Sequence, residues 1–403
     1  MTAWLSVVGI GEDGFVGLSP AARALVANAE VLIGGERHLG MAPAPLDGRD
    51  CPERHSWPNP LTQMVERIGG MRGRRVCVLA TGDPMQFGVG ATLARHVAPE
   101  EMTIIPGVSA FALAAARLAW SLDRTAVFSL HGRPLETLAL HVHPGARLLI
   151  LAQDRATPAA VAHFLAERDF GQSRLIALGH MGGPRESRSE GHACDWQADV
   201  PDFHTLAVEC VAGPDAVWHP ATGLPDDAFE HDGKLTKREA RALAVAKLMP
   251  HAGAYLIDIG AGCGSIGIEW MRAANGARTT AIEPRPERRA MAARNAAALG
   301  VPGLDLRDGN APEALAALPP PDAVFIGGGL SEPTIDASIK TLKLGGRLVA
   351  HAVTLESEAL LLAAYARKGG ELSRLSVARA EPIGPFSGWR PAMPVTQWSW
   401  RKA

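Results

Sequence analysis

No lysine precedes Lys234, so arginine supplies every permanent side-chain cation of the first half of the chain. A GC-rich genome gives the same bias. Arginine is also the residue that grips carboxylates and phosphates through two parallel hydrogen bonds. Paired cysteines are missing too. Cys51, Cys77, Cys194, Cys210 and Cys263 form no CxxC, which argues against a disulfide scaffold and against a cysteine-built zinc site. No metal is expected. No uncharged apolar run reaches the roughly 18 residues of a membrane span. The opening MTAWLSVVGIGEDG has neither a basic leader region nor a cleavage-like site. These absences lead us to expect a cytoplasmic protein without a membrane partner. Neither charge sign dominates: the formal net charge is −2, so no nucleic-acid partner is indicated.

What is present is α/β texture over 403 residues, 47% of them hydrophobic, enough for two or three domains with real cores. Strand-like runs leave into glycines: WLSVVGIG, VLIGG, RRVCVLAT and MTIIPG. Helical stretches separate them, the first opening with Ser19 as N-cap and Pro20 at the first helical position. A second set, TAVFSLHG, RLLILAQ, RLIALGHMG and FHTLAVECV, suggests a second lobe beginning between residues 106 and 125. From 213 to 231 proline, glycine and acids dominate without a period, which predicts a linker. Residues 1–212 and 232–403 are therefore the expected domains. The latter starts with TKREARALAVAKLM, a helix for which Thr236 and Glu239 spell a capping box. It continues as alternating strands and helices and ends in two tail strands, a doubly wound sheet with an antiparallel edge.

DIGAGCGSIGIEW, residues 258–270, places Gly260, Gly262, Gly264 and Gly267 between a strand and a helix. Such a turn lets a ligand approach the backbone and offers it the unpaired N–H groups of a helix start. Spacing alone allows a dinucleotide or a nucleoside thioether. Asp258 ends the first strand. Glu283 ends the next, where a carboxylate can accept from both hydroxyls of a ribose. Asp308 and Asn310 follow the third strand, within reach of an adenine. Gly327, Gly328 and Gly329 end a further strand and predict room for a large substrate.

This part resembles the class I S-adenosylmethionine-dependent methyltransferases. DGKLTKREAR, AIEPRPERR, DGNAPEAL and IGGG narrow the resemblance to the small precorrin methyltransferases that act on C15 and decarboxylate an acetate. The resemblance implies that Gly260, Gly262 and Gly264 line the cofactor, that Glu283 binds the ribose, and that Asn310 and Ala311 lie near the adenine. Thr236 and Lys237 would sit near the mouth of the site.

VVGIGEDG also fits GxGxxG, through Gly9, Gly11 and Gly14, but after the next strand VLIGGERH offers Glu36 only past two glycines, a poor match to a ribose acid. ATGDPMQFG and IPGVSAFALAAARL come after later strands. Together the three resemble the tetrapyrrole methylases, the class III S-adenosylmethionine enzymes, and SLHGRP resembles their C5-methylating subgroup. Many members have GxGPG in the first turn; here Glu12 and Asp13 replace the proline. The resemblance implies a two-lobed fold whose cofactor cleft is shaped by Gly82, Asp83 and Pro84. Ser109 and Ala110 start a helix beside it, and Gly9 and Gly11 leave space for the macrocycle. His131 and Arg133 would contact substrate.

Fused in this order, the halves resemble the decarboxylating precorrin C5,15-methyltransferases of cobalamin biosynthesis. That implies two molecules of S-adenosyl-L-methionine converted to S-adenosyl-L-homocysteine per precorrin-6B. It also implies carboxylate-binding arginines, for which Arg133 and Arg238, with Lys237, are the candidates. Self-association is expected, with the LAAYARKGG face and the WSW tail as contacts or, equally, as core. Rival readings are an NAD(P)-linked oxidoreductase with two dinucleotide folds, an RNA methyltransferase, and a methyltransferase whose N-terminal half is not catalytic.

Overall fold

The computed structural model describes residues 3–42 and 51–403. It divides into two compact units: Met1–Arg133 with His143–Val217, and Pro134–Val142 with Trp218–Ala403.

The first unit holds two five-stranded sheets. One is built from β1 (Leu5–Ile10), β2 (Val31–Gly34), β3 (Glu53–Ser56), β4 (Val76–Thr81) and β5 (Met102–Ile105). Their order is β3-β2-β4-β1-β5, parallel throughout. The central strands LSVVGI and VCVLAT are nearly continuous apolar runs because both faces are covered. β3, ERHS, is polar and largely exposed. An edge strand has little apolar period to betray it, and none is read from the sequence here. Pro20–Ala27 starts as expected, with the Ser19 hydroxyl accepting from Ala22 N–H at 3.2 Å.

The second sheet contains β6 (Ala126–Ser129), β7 (Arg147–Leu151), β8 (Arg174–Gly179), β9 (Ser187–His192) and β10 (His204–Glu209), in the order β6-β7-β10-β8-β9. Only the β6–β7 pair is parallel. The helix Ala110–Leu118 packs Phe111, Ala114 and Ala115 against Leu149, Ile176 and Leu178 of this sheet. The first unit is thus two α/β lobes.

The second unit is built on a seven-stranded sheet: β11 (Tyr255–Ile259), β12 (Arg278–Ile282), β13 (Asp305–Arg307), β14 (Ala323–Ile326), β15 (Arg347–Ala352), β16 (Glu371–Leu375) and β19 (Val395–Arg401). The order is β13-β12-β11-β14-β15-β19-β16, with β19 antiparallel to both neighbours and the first five strands parallel. Helices cover both faces, so the sheet is doubly wound with an antiparallel edge. The chain order reverses at β11, which puts the glycine turn at a topological switch point, where open α/β sheets bind ligands.

Three details differ from the sequence reading. The tail forms four strands, not two, because β17 (Ala378–Ile383) and β18 (Phe386–Pro391) make a separate hairpin. Trp398 of WSW is wholly buried and donates to Gly369 O, so this tail is core rather than a contact surface. The stretch 213–231 does not run free. Leu224 and Phe229 are buried in an apolar cluster with Cys263, Ile268 and Ala292. Residues 134–142, expected in the first domain, cluster with the second unit. There Ala139 and Leu140 occupy the space a side chain on Gly300 would need.

Candidate active sites

The turn after β11 is shaped by steric demand at each glycine. Gly260, Gly262 and Gly264 have φ of 68°, 58° and 81°, the left-handed region that residues with a Cβ avoid. A Cβ on Gly260 would lie 2.6 Å from the Gly328 backbone, and one on Gly267 would lie 2.8 Å from Thr279 Cγ2. Gly260 therefore serves the close approach of two loops, a Cβ on Gly328 would only touch Gly260 at 3.5 Å, and Gly327 is shut against Phe325; of the three downstream glycines only Gly329 faces open space. This corrects the expectation that all three make room for substrate.

Two acids lie under the turn. Glu283 is almost wholly buried; Oε2 accepts from Gly262 N–H at 2.9 Å and Oε1 from Arg285 N–H at 3.1 Å. Each oxygen keeps a second lone pair, and those are its remaining capacity for hydroxyl donors. Asp258 is also buried. Oδ2 accepts from Gly267 N–H at 3.1 Å, and Oδ1 has no hydrogen-bond partner among the described residues. Burial pushes its pKa up to about 7, with the Gly267 N–H opposing and the Glu283 charge adding. An acid whose folded pKa exceeds its unfolded value of about 4 holds extra protons in the native state between those values. Its stabilisation is complete below about pH 4 and is lost as pH rises through about 7. Asp258→Asn is expected to flatten this part of the stability profile, read as urea midpoints across the window. An unchanged slope would show that Asp258 does not titrate there.

Asn310 is exposed and Ala311 half-buried, both in the turn that follows β13. Asp308, the alternative adenine contact, accepts from Arg289 Nη1 at 3.0 Å. Arg289 also donates to Glu283 O at 2.7 Å.

The mouth segment departs from expectation at Thr236. The helix runs Arg238–Leu248 with Lys237 as N-cap and no side-chain cap bond, so there is no capping box. The cause is Arg241, which is wholly buried and takes the Thr236 carbonyl at 2.6 Å. Arg241 also donates to Glu269 Oε1 at 2.6 Å, to Asp226 Oδ1 at 3.1 Å and to Leu224 O, and its guanidinium lies 4.7 Å over the Phe229 ring. Glu269, equally buried, accepts from the N–H groups of Gly223 (2.7 Å) and Leu224 (3.0 Å). The pair clamps 223–236 so that Lys234 O comes to 3.9 Å from where a Gly262 Cβ would be. Lys237 and Arg238 stay exposed, Lys237 Nζ 3.8 Å from Asp226. Sequence reasoning missed Arg241 and Glu269, which sit in ordinary amphipathic helices.

In the first unit three strand ends meet. A Cβ on Gly9 would lie 1.9 Å from Gly82 O and 2.2 Å from Gly107 N, and Gly107 N–H donates to Gly82 O at 3.0 Å. Gly9 therefore does not leave space for a macrocycle: its open side is filled by backbone. The space beside Gly11 holds the Asp13 carboxylate. Gly82 is left-handed, φ 57°, and a Cβ there would meet Val108 O and Ser109 Cα. Asp83 Oδ1 accepts from Met85 N–H at 2.8 Å, holding the turn, and Pro84 packs against Gly88 and Gly90. Ser109 caps the helix beginning at Ala110, accepting from Ala112 N–H at 3.1 Å. Around these loops Met85, Phe87 and Val108 are exposed apolar side chains. The Arg133 guanidinium lies 5.0 Å over the Phe87 ring. His131 is exposed, its N–H bonded to Ser129 Oγ. The structure thus gathers Gly9, Gly82, Asp83, Pro84, Ser109 and Ala110 at one set of strand ends, and Asp258, Gly260, Gly262, Gly264 and Glu283 at another. Among the described residues no cluster of three or more His, Cys, Asp or Glu could hold a metal, and no helix is long and apolar enough to cross a membrane.

Comparison with known proteins matches each unit. Residues 5–192 match the family described as Tetrapyrrole (Corrin/Porphyrin) Methylases, and residues 227–402 match the Precorrin methyltransferase domain. A Sinorhizobium relative named precorrin-6Y C(5,15)-methyltransferase [decarboxylating] is 49% identical, covering 100% of this chain and 97% of its own. A Mycobacterium tuberculosis relative of the same name is 41% identical over 98% of both chains. A solved C-terminal domain of the precorrin-6Y C5,15-methyltransferase from Rhodobacter capsulatus is 46% identical. It covers 46% of this chain and 100% of its own, with a TM-score of 0.44.

Proposed function

The chain belongs to the precorrin C(5,15)-methyltransferases (decarboxylating), and on that footing we propose that its two clefts are separate methyl-transfer centres acting on one tetrapyrrole. The substrate is precorrin-6B (also called precorrin-6Y). The products are precorrin-8, two S-adenosyl-L-homocysteines and carbon dioxide. The first unit methylates C5; the second methylates C15 and releases the C12 acetate carboxylate. The observation that carries this reading is that each unit brings glycine turns together at its strand ends and has its own methyltransferase family match. Membership of a methyltransferase family disfavours the oxidoreductase alternative.

S-adenosyl-L-methionine supplies an electrophilic methyl already activated on a sulfonium, so the chain needs no strong base. Its residues hold and align the reactants in a water-poor cleft, which is worth several kcal/mol, about 7 or more when alignment is good. Gly260, Gly262 and Gly264 admit the nucleoside to the backbone. Glu283 accepts from the ribose, and Asn310 with Ala311 borders the adenine. Asp258 fits a cationic ligand: its orphaned oxygen gains a counter-charge, and a nearby positive group drives it back to carboxylate. In the first unit Gly82, Asp83, Pro84, Ser109 and Ala110 form the corresponding wall, with Gly9 and Gly11 setting how closely the loops approach. Met85, Phe87 and Val108 offer apolar area for a macrocycle face, rimmed by His131 and Arg133. Thr236, Lys237 and Arg238 do the same work at the second mouth. Loss of carboxylate needs an electron sink, and the conjugated ring is one. The reading includes a cytoplasmic homo-oligomer.

The test is a product count. The full chain is given methyl-labelled S-adenosyl-L-methionine and the precorrin, and label and carbon dioxide are measured per tetrapyrrole. Two methyls and one carbon dioxide support the reading. One methyl, always accompanied by carbon dioxide, would mean a non-catalytic first unit.

A further inference from the structure

We propose that Arg37 and Arg185 form a binding site for a substrate carboxylate at the N-terminal cleft, with Glu12 as the internal anion that holds both guanidiniums in place. This rests on the tetrapyrrole reading above and assigns a site within it.

Glu12 belongs to the first glycine turn and stands where related turns carry proline. Its carboxylate is buried. It bonds Arg37 Nη1 and His180 Nδ1, the latter at 2.8 Å, and lies 3.8 Å from Arg185 Nη2. Among the described residues two guanidiniums, with the His180 ring, therefore share one carboxylate, and one guanidinium charge is left over. Among the described residues, nearby Glu186, Asp202 and Asp83 are already engaged. Glu186 is bidentate with Arg117 at 2.5 and 2.9 Å and also accepts from Gly182 N–H. Asp202 is paired with Arg155. Asp13 fills the space beside Gly17, and Asp83 holds its own turn. Among the described residues a second carboxylate is what the cluster lacks, and charge-assisted bonds to arginine suit it.

The cluster touches three elements at these strand ends. Arg37 Nη2 donates to Thr81 Oγ1 at 3.2 Å, one residue before Gly82. Gly183 has no side chain where Glu12 Cβ packs, at 2.6 Å from the position its own Cβ would take. Gly182 faces Leu113, on the helix that Ser109 caps, at 3.9 Å. His180 adopts the left-handed region, φ 46°, uncommon for a residue with a Cβ. It turns residues 180–186 back over the glycine turn, and the Glu186 bonds fix that arrangement. The Arg37 guanidinium carbon lies 3.8 Å from the centre of the Phe203 ring, a cation–π contact that helps to fix its position. Arg185 is 67% exposed and Arg37 29%, so a ligand from solvent meets Arg185 first.

The test uses the full chain under steady state, scoring methyl gain that is not accompanied by carbon dioxide release. Arg185→Gln alters an exposed side chain, so folding is kept. It is expected to raise the tetrapyrrole KM about tenfold or more, leaving the S-adenosyl-L-methionine KM and the saturated rate unchanged. Glu12→Gln removes the competing anion but keeps an acceptor, and is expected to lower the tetrapyrrole KM. A purely structural role would move both variants in the same direction. An unchanged tetrapyrrole KM in Arg185→Gln overturns the assignment, as does an equal rise in the exposed control Arg155→Gln. Failure of the two-centre reading would look different: the wild-type chain itself would show no methyl gain free of carbon dioxide.

Discussion

Gly9→Ala stops methyl transfer at the N-terminal cleft and leaves the decarboxylating centre working. The added Cβ would fall 1.9 Å from Gly82 O and 2.2 Å from Gly107 N. Both are backbone atoms, and they are bonded to each other at 3.0 Å. No flexible side chain can yield, so β1, β4 and β5 must part at the end where the cleft lies. Overpacking of this kind costs about 1–3 kcal/mol in stability. The larger effect is on alignment, since a displacement of about 1 Å can cost about a hundredfold in rate. We expect at least that loss for the methylation not coupled to carbon dioxide, with the coupled methylation near wild type. Both methylations at wild-type rates in Gly9→Ala would show that the convergence of the three glycine loops is irrelevant to chemistry.

Glu269→Ala is expected to destabilise the second unit by about 3–5 kcal/mol, the usual cost of stripping one partner from a buried pair. Arg241 would be left wholly buried with its charge facing only carbonyls and the partly exposed Asp226. The N–H groups of Gly223 and Leu224 would lose their acceptor as well. Against a typical domain stability of about 5–15 kcal/mol this is a large fraction. Removing both charges in an Arg241→Met, Glu269→Met chain should recover part of the loss but not all, because the two backbone donors stay orphaned. Hydrogen exchange over residues 223–273 reads the difference. Wild-type protection in Glu269→Ala would contradict the clamp.

The legible parts of this protein are those where one local constraint decides. Ser19 and Pro20 announce a helix start and deliver it. Gly260, Gly262 and Gly264 mark a strand-to-helix turn, and their left-handed φ values show why no other residue type fits readily. The central strands are legible because they are buried on both faces. What stayed hidden depends on distant partners. Thr236 and Glu239 spell a cap, but the buried guanidinium of Arg241 claims the Thr236 carbonyl and the helix begins at Arg238. Gly9 reads as open space, whereas two loops far along the chain close on it. Leu224 and Phe229 look like residues of a proline-rich linker until Glu269 pins the backbone beside them. The edge strands ERHS and SRSEGH carry too few apolar side chains for any periodicity to show. Glu12 appears in the sequence only as a departure from a family turn; its partners, two guanidiniums and the His180 ring, come from another helix and another lobe.

Two centres in one chain are counted most directly by calorimetric titration of the ligand-stripped full-length protein with S-adenosyl-L-homocysteine. Two sites per chain are predicted, one of them lost in Glu283→Ala. A single site per chain, unaffected by Glu283→Ala even with tetrapyrrole present, would contradict a working cofactor cleft in the second unit.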